Sequence, residues 1–381
     1  MKSLVTIRQC EDYDLPRLAD VIEKVINDLG GMNAFVKSGD QVLLKPNLLK
    51  SAVPEQAAVT HPAVVEVLAA MVLDCGGKPF IGDSPPLGNL PKVLAKSGYS
   101  DFMKRMSIRA VPFAEKVPME FPEERLFRRI DMAREAFEFD RVINLPKLKT
   151  HTQMVLTLAV KNLFGTVIGM DKASWHLRAG KDYDSFATVL VQIFEKIRPC
   201  LSLVDGILAM EGNGPNSGNP RQVGIIGASA DAVALDAVLT RLVGFPTEAV
   251  RTNLIGERLG VGVADKEKIS RVGDELEGFP LKDFKVPKSI TMAWNLSYWN
   301  PVRRFMENHV ITKPAIDKAA CQSCGICLAH CPPKAIVEID GVMVIDRRKC
   351  ISCFCCHELC ANDAVQIVQP FLGKIVSVIS R

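Results

Sequence analysis

Cysteine spacing constrains this chain more than any other feature of its sequence. Nine of the twelve cysteines lie between Cys321 and Cys360. Eight of these nine form two runs of identical spacing, Cys-x2-Cys-x2-Cys-x3-Cys. Such clustering indicates metal ligation, because disulfide frameworks distribute their cysteines through a small secreted chain. We therefore predict a metal-binding region near the end of the chain.

The spacing within each run favours iron-sulfur clusters. A [4Fe-4S] cluster needs four thiolates in a tetrahedral arrangement, and one tight loop presents three of them while the fourth arrives from elsewhere. Zinc bound by four cysteines also uses short spacings and is the alternative. Zinc knuckles, however, rarely have a third cysteine two residues on and a fourth three residues beyond it. The predicted cofactors are two [4Fe-4S] clusters.

Residues 314 to 369 resemble the bacterial two-cluster ferredoxins, in which the two runs exchange their fourth ligand. Pro332 follows the first run, whereas Ala361 stands at the equivalent place after the second. The resemblance implies a small α+β domain that transfers electrons. It also implies the ligands, which are Cys321, Cys324, Cys327 and Cys360 for cluster 1, and Cys331, Cys350, Cys353 and Cys356 for cluster 2.

Other residues of this region have predicted roles around the clusters. Asp340-Gly341 lies between two apolar segments and predicts a hairpin that covers a cluster. Cys355, the ninth cysteine, is expected to point away from the cluster that its neighbour binds. His330 and His357 stand beside ligands and are expected to be surface residues or hydrogen-bond donors.

Residues 1 to 285 alternate short β-branched apolar runs with longer amphipathic segments. This alternation is typical of an α/β domain with a mostly parallel sheet. The predicted strands are Gln41 to Lys45, Lys78 to Gly82, Arg141 to Leu145, Leu201 to Asp205 and Val223 to Gly227. The predicted helices are Leu15 to Asn27, Pro62 to Leu73, Leu90 to Ser97, Ser185 to Ile197 and Asp231 to Leu242. Residues 286 to 313 are predicted to be an aromatic connector, and residues 370 to 381 a C-terminal tail.

Charge and hydrophobicity exclude several classes of protein. Lys and Arg number 47 against 43 Asp and Glu, and a net charge of +4 over 381 residues is too weak to indicate a nucleic-acid partner. The first residues lack the apolar run of a secretory signal. No stretch reaches the roughly 18 uncharged apolar residues that a spanning helix needs. We therefore expect no membrane span and a cytoplasmic location.

Polar motifs follow the predicted strands, where open α/β sheets place their ligands. They are Lys45-Pro46-Asn47, Thr60-His61-Pro62, Gly82 to Pro85, Leu145 to His151, Lys161 to Gly165, Asp205-Gly206 and Glu211 to Pro215. Together they closely resemble the family known as domain of unknown function 362, over nearly the whole chain. Members of that family often carry a C-terminal ferredoxin module. The resemblance implies an iron-sulfur protein and assigns no catalytic residue.

The residue types in these motifs suit an anionic small molecule. Lysine ammonium groups bind carboxylates or phosphates, and histidine or aspartate transfers protons. We predict catalytic roles for Lys147, Lys149, His151 and Asp83, and substrate binding by Lys45, Asn47, His61, Lys161 and Asn162.

Three further expectations concern the same motifs. Thr60 is expected to cap the helix that follows it. The candidates for a second metal site, or for acid-base groups, are His61, His151, His176, Asp83 and Asp205. No GxGxxG follows the first strand and no GxxxxGK[ST] occurs, so dinucleotide and P-loop binding are disfavoured.

The sequence favours an iron-sulfur oxidoreductase. In this hypothesis the clusters relay electrons between an external protein donor or acceptor and an anionic substrate in the large domain. One alternative is an electron-transfer or assembly module whose large domain docks a partner protein. Another is a cluster-regulated binding protein.

Overall fold

The computed structural model describes residues 2–86, 89–169, 171–180, 182–285 and 312–370. Nearly all of the predicted aromatic connector, residues 286 to 311, lies outside the described residues. The same holds for residues 371 to 381 of the predicted tail. The predicted domain boundaries therefore stay a prediction.

The strands and helices of the described residues alternate along the first part of the chain. The strands are β1 (Ser3–Gln9), β2 (Gln41–Pro46), β3 (Lys78–Asp83), β4 (Arg109–Pro112), β5 (Lys116–Glu120), β6 (Arg129–Ala133), β7 (Arg141–Leu145), β8 (Lys147–His151), β9 (Val155–Thr157), β10 (Leu201–Glu211), β11 (Asn219–Ser229), β12 (Ile269–Gly273), β13 (Lys313–Ile316), β14 (Ile336–Ile339), β15 (Val342–Ile345) and β16 (Val365–Val368). The α-helices are α1 (Leu15–Asn27), α2 (Pro62–Asp74), α3 (Leu90–Lys96), α4 (Ser100–Arg105), α5 (Ala159–Asn162), α6 (Asp171–Ala179), α7 (Tyr183–Ile197), α8 (Ala232–Leu242), α9 (Arg251–Arg258), α10 (Ile326–Ala329) and α11 (Cys355–Leu359).

The large domain is built on a ten-stranded sheet. Eight strands follow the order β12-β1-β11-β10-β7-β2-β3-β4, and β8 and β9 join beside β10. Strands β10, β7, β2, β3 and β4 are parallel neighbours, whereas β11 is antiparallel to both β10 and β1. The predicted α/β domain with a mostly parallel sheet is therefore confirmed.

Two hydrophobic cores cover the two faces of this sheet. Along β2, Val42 and Leu44 belong to one core and Leu43 to the other, because successive side chains of a strand point to opposite faces. Helices α1 and α2 pack in the first core, and α5, α7 and α8 pack in the second. The domain is therefore three layers, with helices on both faces of the sheet.

All five predicted strands and all five predicted helices form. Helix α1 and strand β7 have the predicted ends, whereas β10 and β11 are longer than predicted, at Leu201–Glu211 and Asn219–Ser229. These two strands pair with each other along their length, with one register shift between Gly206 and Leu208. The residues added at the start of β11, Asn219 to Gln222, are mainly polar and do not show the apolar pattern on which the prediction depended. The added residues of β10, Gly206 to Glu211, are mostly apolar, and the prediction ended this strand at the Asp205-Gly206 motif.

Three local expectations were wrong. The Leu145 to His151 motif was expected only to follow a strand, but its residues Lys147–His151 form a strand of their own, β8, which pairs with β10 and β9. Asp205-Gly206 likewise lies within β10. Helix α2 is capped by His61, whose Nδ1 accepts the Ala63 N–H at 3.2 Å. Thr60 instead donates to the Leu145 carbonyl at 2.6 Å and ties α2 to the sheet edge.

The region after residue 312 is small and contains short elements. Strands β13 and β16 are antiparallel, and β14 and β15 form the predicted hairpin through Asp340-Gly341. Helices α10 and α11 each lie within one cysteine run. No helix among the described residues is long and apolar enough to cross a membrane.

A buried polar network ties the start of the chain to the sheet. The Lys147 ammonium is fully buried and donates to Asp205 Oδ2 at 2.6 Å and to the Tyr13 hydroxyl at 3.0 Å. The Tyr13 hydroxyl donates to Asp205 Oδ1 at 2.7 Å, and the ring of Tyr13 stacks on His61. Asp205 Oδ2 also accepts the backbone N–H of His61 at 2.8 Å. One aspartate therefore joins four segments of the domain.

We expect Asp205→Asn to lower the free energy of unfolding by about 3–5 kcal/mol, because it leaves the Lys147 ammonium buried without a counter-charge. Urea unfolding followed by far-ultraviolet circular dichroism measures the change. The matched control is Asp20→Asn, which removes an exposed aspartate paired with Lys24 and should have little effect. Equal effects of the two substitutions would contradict the assigned role of Asp205.

Candidate functional site

A cavity of about 100 Å³ lies where the large domain meets α11. Six of the nine large-domain site residues predicted from the sequence line it, namely Lys45, Asn47, Asp83, Lys149, Lys161 and Asn162. Further lining residues of this domain include Ser84, Thr157, Lys172 and His176. The C-terminal region contributes His330, Cys355, Glu358 and Leu359. The cavity is therefore walled by both parts of the chain.

Lys45 and Asp83 form a buried ion pair on one wall of the cavity. Lys45 Nζ lies 3.0 Å from Asp83 Oδ1, and both side chains are almost fully buried. Asp83 also accepts the N–H groups of Leu48, at 3.0 Å, and of Ser84, at 2.8 Å. Gly165 packs against this pair so closely that a Cβ atom would overlap Asp83 Oδ1 and Lys45 Nζ. The pair is held by partners on every side and acts as a rigid wall.

Asparagine amides order the next part of the wall. Asn47 Nδ2 donates to Asn162 Oδ1 at 2.8 Å, and Asn162 Nδ2 donates to Asn144 Oδ1 at 2.8 Å. Lys149 Nζ donates to Asn47 Oδ1 and to the Ala58 carbonyl, both at 2.7 Å. Each amide is fixed by its neighbours, so the position of the Lys149 ammonium is fixed as well.

Three cavity lysines have no carboxylate at ion-pair distance among the residues that the structure describes. Lys149 donates only to neutral oxygens, Lys172 donates to the Ser84 carbonyl at 2.7 Å, and Lys161 lies over the Phe164 ring at 5.8 Å from its centroid. Uncompensated cations out of water are costly. When these lysines are protonated, the wall carries positive charge that no described carboxylate neutralises at ion-pair distance.

Burial changes the acidity of these three ammonium groups. Desolvation lowers the pKa of Lys149 well below its usual value, and nearby Lys161 lowers it further. Desolvation also lowers the pKa of Lys161, against the opposing effect of Glu358. It lowers the pKa of Lys172 to about 7, although Asp83 favours the charged form. An anionic ligand would stabilise the protonated forms of all three.

Glu358 of the C-terminal region enters the same site. Its Oε1 lies 3.0 Å from Nε2 of His151, which is fully buried. His151 Nδ1 accepts the N–H groups of Gln153 and Met154, both at 3.1 Å. The ring nitrogen that carries the proton in neutral His151 is therefore Nε2, and it faces the carboxylate.

The surroundings of His151 and Glu358 shift the pKa of both groups. Burial, together with Lys161, lowers the pKa of His151 to about 4 in spite of the opposing carboxylate. Burial opposes ionisation of Glu358, but His151 and Lys161 hold the pKa of this carboxyl below its usual value. At neutral pH the pair is a neutral imidazole beside a carboxylate.

Further contacts fix α11 against the large domain. Asn216 Nδ2 donates to the Glu358 carbonyl at 3.2 Å, and Ser217 bonds the Asp363 carboxylate. His357 is buried, with Nδ1 at 2.7 Å from the Val365 carbonyl and Nε2 at 3.3 Å from the Asn213 carbonyl. Of the two expectations for His357, a surface position is wrong and a hydrogen-bonding role is supported.

The structure separates the remaining predicted residues. Lys147 and His61 belong to the Asp205 network and do not line the cavity. His151 reaches the cavity only through Glu358. No group of three or more histidine, cysteine or acidic side chains in the described ranges is arranged to hold a single metal ion.

Sequence reasoning missed Glu358 and Cys355 as cavity residues. Glu358 stands between two predicted cluster ligands, and Cys355 was expected to point away. Cys355 is buried and lines the cavity, and its orientation relative to the predicted cluster stays a prediction. No local pattern identifies either residue, because their role depends on how α11 docks on the large domain.

The chain matches a known family. The family description "Domain of unknown function (DUF362)" matches residues 42–241, and the chain belongs to this family. A thylakoid-associated protein of Synechocystis sp. is 42% identical over 261 residues, which is 68% of this chain and 81% of that protein.

A solved structure is also similar at low level. The lactate racemase apoprotein from Thermoanaerobacterium thermosaccharolyticum aligns with a TM-score of 0.37 and 9% identity. The match covers 61% of this chain and 55% of the racemase chain, so this chain spans about half the length of that solved structure.

We expect Gly165→Ala to lower the free energy of unfolding by about 1–3 kcal/mol, because its Cβ forces Lys45 and Asp83 apart. Urea unfolding measures the change. The control is Gly227→Ala, at a position where a Cβ meets its neighbours at ordinary contact distance, 3.4 Å from Leu235. A smaller loss for Gly165→Ala than for the control would show that the wall is not rigid.

We expect Lys172 to lose its proton near pH 7, more than three units below the ordinary lysine pKa of 10.5, because burial disfavours its charge. Reductive methylation with ¹³C-formaldehyde, followed by nuclear magnetic resonance titration, measures this directly. The resonance is assigned by its absence from Lys172→Arg. A titration midpoint near 10 would contradict the desolvated environment assigned to Lys172.

Proposed function

We propose that this protein is an iron-sulfur oxidoreductase in which two [4Fe-4S] clusters relay electrons to or from a small anion in the cavity. One observation carries the proposal. Helix α11 contains Cys356, a predicted cluster ligand, and also Cys355 and Glu358, which line the cavity. A ligand in the cavity would therefore lie against the same helix that holds a cluster.

The backbone of the C-terminal region supports a two-cluster ferredoxin-like domain. Residues at equivalent places in the two cysteine runs have the same left-handed conformation, as in Ser323 and Ser352 or Gly325 and Phe354. The fourth cysteine of each run accepts a backbone N–H, from Ala335 to Cys331 Sγ and from Ala364 to Cys360 Sγ, both at 3.2 Å. Hydrogen bonds of this kind stabilise thiolates and tune cluster potentials.

The neighbours of individual cysteines support the exchange of ligands between runs. Burial raises the pKa of Cys327, and the nearby thiols that raise it further are Cys321, Cys360 and Cys324. Burial also raises the pKa of Cys356 well above its usual value, and its strongest cysteine neighbours are Cys353, Cys350 and Cys331. These neighbours are the two ligand sets implied by the ferredoxin resemblance.

The residues of the chain have separate tasks in this proposal. When bound, the clusters supply one-electron transfer. Lys149, Lys161 and Lys172 hold the anion, and the Lys45–Asp83 pair keeps that wall rigid. Glu358 closes one side of the cavity, and His151 lies behind it, with its Nε2 at 3.0 Å from Glu358 Oε1. An external protein is the proposed electron donor or acceptor.

The test is metal analysis of anaerobically purified protein with electron paramagnetic resonance of the dithionite-reduced sample. We expect about eight irons and eight sulfides per chain and spin-coupled [4Fe-4S] signals. Cys353→Ser should remove about half of the iron, whereas Cys75→Ser, a control outside both runs, should retain all of it. Stoichiometric zinc without sulfide would overturn the proposal.

A further inference from the structure

We propose that the cavity binds a compact organic acid of about four to six non-hydrogen atoms, with a carboxylate at Lys161 and a second oxygen function at Thr157 and His176. This inference rests on the proposed function in that it names the ligand class of the same cavity. Its evidence is the size, the charge and the unpartnered polar atoms of the site.

Volume limits the size of the ligand. An engineered apolar cavity of about 150 Å³ accommodates benzene, which has six non-hydrogen atoms. The cavity here, at about 100 Å³, is smaller. The cavity therefore cannot enclose a nucleotide or a sugar phosphate, whereas it can enclose a two- to three-carbon acid.

Charge selects an anion and places its carboxylate. Lys45 is already paired with Asp83, and Lys149 and Lys172 donate to protein oxygens. Lys161 lies over the Phe164 ring and makes no hydrogen bond within the described part of the chain, although the Glu358 carboxylate in the same cavity favours its charged form. Its three N–H donors are free for a ligand, and a carboxylate accepts charge-assisted hydrogen bonds of this kind.

Two buried atoms require a second polar group on the ligand. Thr157 Oγ1 and His176 Nδ1 have no hydrogen-bond partner among the described residues, and these side chains are only 3% and 4% exposed. Buried polar atoms are nearly always hydrogen-bonded, so an unpaired pair in one cavity wall indicates a missing partner.

The chemistry of these two atoms favours a hydroxyl or carbonyl oxygen, or a second carboxylate oxygen. Burial lowers the pKa of His176 to about 3, so the imidazole is neutral at pH 7. A neutral imidazole and a hydroxyl each donate or accept one hydrogen bond. His176 is held in place by stacking on Phe186, with ring centroids 4.1 Å apart. The second oxygen of the acid would therefore contact two ordered, uncharged side chains, Thr157 and His176.

Oxalate is the probe, because it has six non-hydrogen atoms, two carboxylates and no titration near neutral pH. Isothermal titration calorimetry with the intact, anaerobically purified chain measures its affinity at pH 7. Oxamide, a neutral compound of the same size, and citrate, a larger anion, are the comparison ligands. We expect oxalate to bind and both comparison ligands to fail.

Variants of the protein test separately the residues proposed to bind each end of the ligand. Lys161→Met should weaken oxalate binding about tenfold or more, and Lys161→Arg should retain most of it because the charge remains. Thr157→Val should weaken binding about two- to tenfold through the lost hydroxyl. The control is Lys24→Met, an exposed lysine on α1, which should bind oxalate like the unmodified chain.

Equal affinity of Lys161→Met and Lys24→Met, or binding of citrate as tight as that of oxalate, would overturn the inference. Loss of clusters and loss of binding are separate results. Oxalate binding in a protein that holds zinc and no sulfide supports the ligand class while the redox function fails. Intact clusters without oxalate binding overturn the ligand class and leave the electron relay standing.

Discussion

Desolvation of charged side chains is the constraint on which the rest of this structure depends. An ammonium group inside a protein must be paired, bind a ligand or lose its proton. Lys45 and Lys147 are paired with aspartates, and these pairs hold the strand ends and the start of the chain together. Lys149, Lys161 and Lys172 lack such partners, so burial lowers the pKa of each of them, and an anion in the cavity would stabilise their protonated forms. The same physical cost therefore produces both the rigid frame and the site.

The site also depends on how one short helix, α11, docks on the large domain. Helix α11 presents Glu358 to His151 on one side and belongs to a cysteine run on the other. Because Glu358 is negative and the opposite wall is positive, docking is electrostatically favourable and partly compensates the lysines. A change in the C-terminal region would therefore reach the cavity mainly through α11, and also through His330, which lies outside that helix.

Regular elements were predictable where local patterns specify them. Leu15–Asn27 and Arg141–Leu145 were predicted to the residue, because their apolar periodicity has one solution. The lysine-rich strand Lys147–His151 was not predicted as a strand, since buried lysines in a strand contradict the usual pattern. Its side chains are stabilised by Asp205, Asn47 and the Ala58 carbonyl, which lie far away in sequence.

The sequence by itself determined the alternation of strands and helices, the lysine-containing motifs that follow the strands, and the paired cysteine spacing. These features are periodic or local. Tertiary structure alone decided that His61 and Lys147 join a structural network while Lys161 lies open to the cavity. It also decided that Glu358 and Cys355 complete the wall. These outcomes depend on contacts between charged side chains that are far apart in the sequence. No short-range sequence pattern specifies such contacts.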